Sequence, residues 1–377
     1  VTTPQSLPSA YLLELGTTPE LSWAELESFY GDDVERLDDR LAILQNPTKP
    51  AKDVINSLGG TVKIFEIIHK LPLETTNEQL EEHLLKILDD KEKIKFFVAE
   101  INRQTIPSLE LSDLKDKLVE LGHKVRYEKG NRSGLTAALL LHKSNIIELA
   151  VINTAREIYI GKTLAVQNID DWSYRDRGKP FAQHRRGMLT PKVARMMLNL
   201  AGPEQDKLLY DPFCGTGTVL LEAALAGYSL MGSDLDEEAV KGTRDNLEWL
   251  ATNYQLQPKS RLFQADATGV NPKPVPEVIV TEPFLGKLTP KPNQIPNITK
   301  GLVKLYTGTL KNWASWLKPG SKIIMVFPRF TASNSPSVWD RLIDKLGELG
   351  YTTTLEPVIY ARPGAVVQRQ IVRLEIK

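Results

Sequence analysis

Three acids in the second half of the chain each close a short apolar run. Asp211 follows Leu208-Leu209-Tyr210 and opens the turn Asp211-Pro-Phe-Cys-Gly-Thr-Gly-Thr218. Asp234 ends Leu230-Met-Gly-Ser-Asp, and Asp266 ends Leu262-Phe-Gln-Ala-Asp. Gly215 and Gly217 carry no Cβ, so the backbone of the first turn can approach a ligand closely. A strand, a tight glycine turn and a helix N-terminus together form a nucleotide site. A pyrophosphate site would need G-x-G-x-x-G, whereas here an Asp and a Phe precede Gly-Thr-Gly-Thr. The anionic Asp211 would repel a pyrophosphate. It suits a ligand that carries an ammonium and a sulfonium, as S-adenosylmethionine does. Asp234 stands where such folds bind ribose hydroxyls, and Asp266 where an adenine amine is met. Phe213, in the same turn, gives shape to the cofactor site. Cys214 sits inside that turn, where a small residue packs.

The elements around these acids read as α/β. Val219–Ala226 is expected as a helix facing the first strand, and Met188–Leu200 as a helix with Thr190 as N-cap and Pro191 at its first position. Val278–Gly286 supplies a fourth strand and its end. Lys322–Pro328 is a strand, Val338–Leu349 a helix, and Thr352–Tyr360 with Val366–Ile376 a closing hairpin.

The N-terminal part alternates strands and helices. Tyr11–Gly16 is a strand, and a helix opens at Leu21, where Ser22 and Glu25 have capping-box spacing. Leu41–Gln45 is a strand, Ala51–Gly60 a helix and Thr61–His69 a strand. Thr75 and Glu78 frame another capping box before a charged helix to about Lys91. Phe96–Asn102 is a strand and Leu111–Leu121 an amphipathic helix. Val125–Glu128 and Ala137–His142 are strands, Asn145–Ala150 is apolar, and Ile158–Lys162 with Thr163–Gln167 close the segment.

At 377 residues the chain has room for two or three domains. Its one cysteine excludes a disulfide framework and Cys-based zinc sites, and its five histidines show no ligand spacing, so no metal site is expected. No run approaches a bilayer span and no charged-then-apolar leader opens the sequence; the lone cysteine makes a reducing cytoplasm the expected setting. Net charge is zero, but residues 1–40 carry nine acids against two bases, and Pro283–Trp339 carries no acid at all. A second basic run, Tyr174–Arg186, lies ahead of the glycine turn. This polarity points to a polyanionic partner reached by one face.

Four passages resemble the THUMP-domain tRNA (guanine-N2-)methyltransferases, of the kind that modify guanosine at tRNA position 10. They are Tyr11-Leu-Leu-Glu-Leu-Gly16, Thr154-Ala-Arg-Glu-Ile-Tyr-Ile-Gly161, the linker from Tyr174 through Lys-Pro-Phe181 to Leu189-Thr-Pro-Lys-Val-Ala-Arg195, and the Asp211–Thr218 turn. The resemblance covers essentially the whole chain. It implies an α/β class I, Rossmann-like methyltransferase domain over 188–377. Ahead of it would come an α+β ferredoxin-like domain over 1–72, a THUMP domain over 73–167 and a basic linker over 168–187. It implies S-adenosylmethionine as cofactor, held by Asp211, Phe213, Gly215, Gly217, Asp234 and Asp266. It implies tRNA as substrate, with Arg175, Arg177, Lys179, Arg185, Arg186, Lys287 and Lys291 touching phosphates. A small activating protein subunit accompanies some relatives. Nothing in the sequence sets an oligomeric state.

In that family the fourth strand ends in Asp-Pro-Pro-Tyr (or Phe). A guanine amine is a poor nucleophile because its lone pair is delocalised into the ring. The site must therefore hold the amine in line with the methyl donor, accept its hydrogens and stack an aromatic on the extruded base. Here the strand ends in Glu282-Pro-Phe-Leu-Gly286. Glu282 is one methylene longer than the family's acid, Pro283 is kept, Phe284 replaces the second proline, and Leu285 replaces the aromatic. Glu282, Pro283 and Phe284 are the expected catalytic residues. Two other readings stay open: an RNA-binding protein with a repurposed or inactive methyltransferase domain, and a methyltransferase for a different RNA acceptor.

Overall fold

The computed structural model describes residues 7–89, 92–103, 108–143, 145–182, 188–203, 206–331 and 336–377. The chain forms two compact units. One runs to Pro19 and resumes over Tyr30–Asp171; the other takes Glu20–Phe29 and Trp172–Lys377.

The first unit is one eight-stranded sheet with helices. Its strands are β1 (Ala10–Leu15), β2 (Val34–Arg36), β3 (Leu41–Gln45), β4 (Thr61–Leu71), β5 (Lys93–Ile101), β6 (Lys124–Tyr127), β7 (Ile147–Asn153) and β8 (Ile158–Val166), in the order β2-β3-β1-β4-β8-β7-β5-β6. β4 pairs antiparallel with β8 from Lys63↔Val166 to Leu71↔Ile158. Residues on both sides of position 72 therefore share a sheet. Its helices are α2 (Ala51–Ser57), α3 (Asn77–Leu88), α4 (Leu111–Glu120) and α5 (Ala137–His142). Leu80, Leu84 and Leu88 of α3 and Leu114 and Leu118 of α4 lie at helical spacing and are buried against Ile94, Phe96 and Val98 of β5. The capping box of α3 is Thr76 with Gln79, one residue beyond the expected pair, and the helix ends at Leu88. Ala137–His142 is a helix, where a strand was expected: the Thr136 hydroxyl accepts from the Leu139 N–H and caps it.

The second unit is a seven-stranded sheet in the order β11-β10-β9-β12-β13-β15-β14. Its strands are β9 (Leu208–Asp211), β10 (Ser229–Asp234), β11 (Ser260–Gln264), β12 (Val278–Thr281), β13 (Lys322–Phe330), β14 (Tyr351–Tyr360) and β15 (Val367–Ile376). The pairs among β9–β13 are parallel and β15 is antiparallel to both neighbours, so the closing hairpin sits as the sequence predicts. Helices α7 (Pro191–Asn199), α8 (Thr218–Leu225), α9 (Glu237–Tyr254), α10 (Ile295–Ala314) and α11 (Ile343–Leu346) accompany the sheet. The helix expected over Val338–Leu349 reduces to the short α11. Thr190 does precede α7, but its side chain makes no capping hydrogen bond.

Helix α1 (Pro19–Tyr30) gives its residues 20–29 to this second unit. It starts at Pro19, so Ser22 and Glu25 form no capping box at its N-terminus; both are fully buried, and the Glu25 carboxylate accepts from the Asn199 amide of α7 at 2.7 Å. Leu21 and Ala24 join a core with Val193, Met197, Leu220 and Val280. The stretch expected as a linker contains α6 (Ile169–Arg177), with Asp170 and Asp171 in its first turn and Arg175 and Arg177 in its last, the polarity a helix dipole favours. Among the described residues no helix is long and apolar enough to cross a membrane.

Candidate active site

β9, β10 and β12 all end at one edge of the sheet, and a cavity of about 1230 Å³ opens there. Asp211, Phe213, Gly215, Asp234, Asp266, Glu282, Pro283 and Phe284 all line it. The parallel strands explain the convergence: each strand's last residue reaches the same edge, where ligands of open α/β sheets bind.

The Asp211–Thr218 turn is rigid for identifiable reasons. The Phe213 N–H and the Thr281 hydroxyl both donate to Asp211 Oδ1, at 3.1 and 2.7 Å. Gly215 has φ +51°, and a Cβ there would meet only the Phe213 carbonyl at 3.9 Å, so its open side is the cavity. Gly217 differs. It has φ +79° and a Cβ would strike Thr243 Cγ2 at 2.8 Å, so this glycine lets α9 pack against the turn and is not among the residues lining the cavity. Asp234 accepts from the Gly215 N–H at 2.9 Å and from the Asp236 N–H at 3.0 Å, which fixes its carboxylate at the end of β10. Asp266 uses Oδ1 for the Thr268 N–H and hydroxyl, both at 2.8 Å.

Electrostatics give the cavity a sign. Asp211 is 2% exposed, and burial together with the nearby Asp234 and Glu282 lifts its carboxyl from 3.8 to about 7, against the pull of Thr281 and Phe213. Burial also raises Glu282, opposed by Arg369 and Arg362. Acids crowded at a buried edge favour a cation, and a ligand with an ammonium and a sulfonium relieves their repulsion. Cys214 is buried and its thiol is pushed well above the ordinary value, so it stays protonated and serves packing.

The turn after β12 is held from α10. The Tyr306 hydroxyl, fully buried, donates to the Phe284 carbonyl at 2.8 Å. Gly286 has φ +87°, and a Cβ there would meet Ile298 Cγ2 at 2.8 Å. Phe284 is 64% exposed at the cavity, while Leu285 packs against the apolar core. The exposed aromatic of this turn is therefore one residue earlier than the family pattern puts it.

The expected phosphate contacts divide. Arg177, Lys287 and Lys291 are exposed, and Lys287 borders the cavity. Arg175 and Lys179 are buried and inaccessible to a phosphate. Arg175 lies 3.0 Å from Glu222 and over the Trp172 ring, and Lys179 donates to the Thr218 hydroxyl at 2.9 Å. Arg195 binds the other oxygen of Glu222 at 3.0 Å. Burial lowers the Lys179 ammonium below its usual range. Phe181 docks through its backbone N–H and carbonyl onto the Asn246 amide. The Lys-Pro-Phe passage thus ties to both α8 and α9. Arg185 and Arg186 lie outside the described residues.

Several residues at the site escape a sequence reading. Met188 and Leu189 line the cavity, and Thr281 anchors Asp211. Met188 and Leu189, expected within a helix over Met188–Leu200, instead precede α7, whose Thr190-Pro191 start is a usable signal. Tyr306 and Arg369 have none, because each reaches the turn from a distant element.

Comparison with known proteins agrees with this geometry. Residues 179–335 match the RMKL-like methyltransferase domain family. A tRNA (guanine(10)-N2)-dimethyltransferase from Methanocaldococcus jannaschii is 30% identical over 298 residues, 74% of this chain and 82% of that protein. The crystal structure of TrmN from Thermus thermophilus has a TM-score of 0.57 at 18% identity, over 98% of this chain and 100% of that one. SMU.472, solved in complex with SAH, gives 0.53 at 11% identity, over 98% and 99% of the two chains. A shared fold, a cavity with crowded acids and a relative matched over most of its length converge on one assignment: the chain belongs to the tRNA (guanine-N2-)methyltransferase family.

Proposed function

We propose that this enzyme methylates the 2-amino group of the guanosine at position 10 of tRNA, with S-adenosylmethionine as cofactor. The observation that carries the reading is the arrangement at the end of β12: an acid, a proline and an exposed aromatic on one turn, bordering a cavity that favours a cation. The residues present fit the cofactor. Asp211 and the Gly215 backbone would hold its methionine end, Asp234 the ribose and Asp266 the adenine amine. When bound, it supplies a methyl on a sulfonium, and transfer to the amine leaves SAH and one proton. Glu282 orients the amine and accepts a hydrogen bond from it. Tyr306 occupies the Phe284 carbonyl, so Pro283 is the neighbouring carbonyl left to meet the second amine hydrogen. Phe284 stacks on the extruded base.

Arg177, Lys287 and Lys291 contact tRNA phosphates, and the first unit serves as the RNA-holding THUMP part, in the cytoplasm. A small activating subunit belongs to the same reading; label that appears only on adding a cell extract would reveal it. The test is methyl transfer from labelled S-adenosylmethionine to unmodified tRNA transcripts. Label that disappears when the position-10 guanosine is replaced supports the proposal. Label that persists on that transcript means a different acceptor.

A further inference from the structure

Glu282 is the first residue beyond β12, and its carboxylate pairs with the Arg369 guanidinium of β15. β13 lies between those two strands, and Arg369 stands opposite Pro328 in the β13–β15 register. The guanidinium therefore spans a whole strand to reach the acid. Both side chains are largely buried, with exposures of 13% and 15%. Enclosing such a pair costs desolvation, so pairing by itself explains little of the fold's stability. Its geometric consequence is specific. Arginine stays charged at any working pH, and its planar fork fixes a carboxylate in direction as well as distance.

We propose that Arg369 is a positioning residue for catalysis: it draws the Glu282 carboxylate back toward β15 and so takes up the extra methylene that distinguishes this acid from the family's aspartate. The proposal rests on the reading that Glu282 meets the acceptor amine. Arg369 acts on Glu282 in two ways. It sets where the carboxylate points, and together with Arg362 it opposes the burial that raises this carboxyl, which also faces Asp211 and Tyr306. An ionised carboxylate accepts a hydrogen bond from an amine more strongly than the neutral acid does.

The experiment compares wild type, Arg369→Met, Arg369→Lys, Glu282→Asp and the double variant Glu282→Asp/Arg369→Met. Arg369→Met is expected to lower kcat by about tenfold to a hundredfold, the scale of a misplacement near 1 Å. The KM for tRNA and the affinity for S-adenosylmethionine stay near wild type. The acidic limb of the kcat–pH profile moves to higher pH in Arg369→Met and stays in place in Arg369→Lys, which keeps part of the rate. In the Glu282→Asp background, where the shorter acid no longer reaches Arg369, the second substitution costs much less than in wild type.

An unchanged kcat and pH profile in Arg369→Met overturns the proposal. So does an equal cost in both backgrounds, or a loss that tracks cofactor affinity or Tm. Should Arg369→Met not fold, Arg369→Lys carries the test through its kcat and its undisplaced acidic limb. Carboxylate titration by NMR reads the tie without turnover, since Glu282 should titrate higher without Arg369. A wild-type protein that transfers no methyl to guanosine contradicts the functional reading. A wild type that transfers while the Arg369 variants match it contradicts this inference alone.

Discussion

Asp211 titrates at about 7 because it is enclosed next to Asp234 and Glu282. Above that pH it is an anion facing the cofactor's cationic end; below it the carboxyl is neutral and the attraction is gone. Affinity for S-adenosylmethionine should therefore fall as pH drops from about 8 to about 5.5, approaching roughly tenfold per pH unit at the acid end. Asp211→Asn should bind more weakly at about pH 8 and lose most of the pH dependence. Calorimetric titration across that range checks both, and a flat profile in wild type contradicts the assigned charge. The acids at strand ends were legible because each follows an apolar run at α/β spacing. The inward turn of Arg175 and Lys179 was not legible. Their partners, Glu222 and Thr218, stand far along the chain on α8 and carry no mark of the pairing in sequence.

At the scale of elements, the Glu282–Gly286 turn depends on α10. Tyr306→Phe removes the hydroxyl that occupies the Phe284 carbonyl, and Gly286→Ala places a Cβ against Ile298 at a backbone angle that side chains avoid. Both should lower kcat while cofactor affinity stays near wild type, with Gly286→Ala the more severe; parallel loss of cofactor binding would mean that the turn and the cofactor site do not separate. Helix α1 should respond in stability. Asn199→Ala removes the amide that donates to the buried Glu25 carboxylate and should cost about 1–3 kcal/mol, read as a lower Tm. Sequence pattern finds most strands and helices here because their periodicity is local. It misses α5, since six residues of unbroken Ala, Leu and His carry no period and the Thr136 cap decides. It also misses α6, whose polar sequence hides a helix that buries Trp172 and Arg175.

Over the whole chain the charges cancel, yet Pro283–Trp339 holds no acid, and on α10 Lys300, Lys304 and Lys311 recur on one exposed face. Binding to tRNA should therefore weaken steeply with salt. Replacing Arg177, Lys287 and Lys291 by alanine should lower affinity and reduce the salt slope by about one for each phosphate no longer neutralised. Arg175→Ala or Lys179→Ala should instead lower Tm. A salt slope unchanged in the triple variant would move the RNA interface elsewhere. The closing hairpin was readable from sequence at this scale. The transfer of residues 20–29 to the second unit was not, because α1 lies between two strands of the first. The most direct measurement is mass spectrometry of nucleosides from unmodified tRNA treated with wild-type and Glu282→Ala protein, each shown to bind S-adenosylmethionine. The account predicts N2-methylated guanosine with wild type and none with Glu282→Ala. The same methylated nucleoside from both proteins, or methyl on another base, would contradict it.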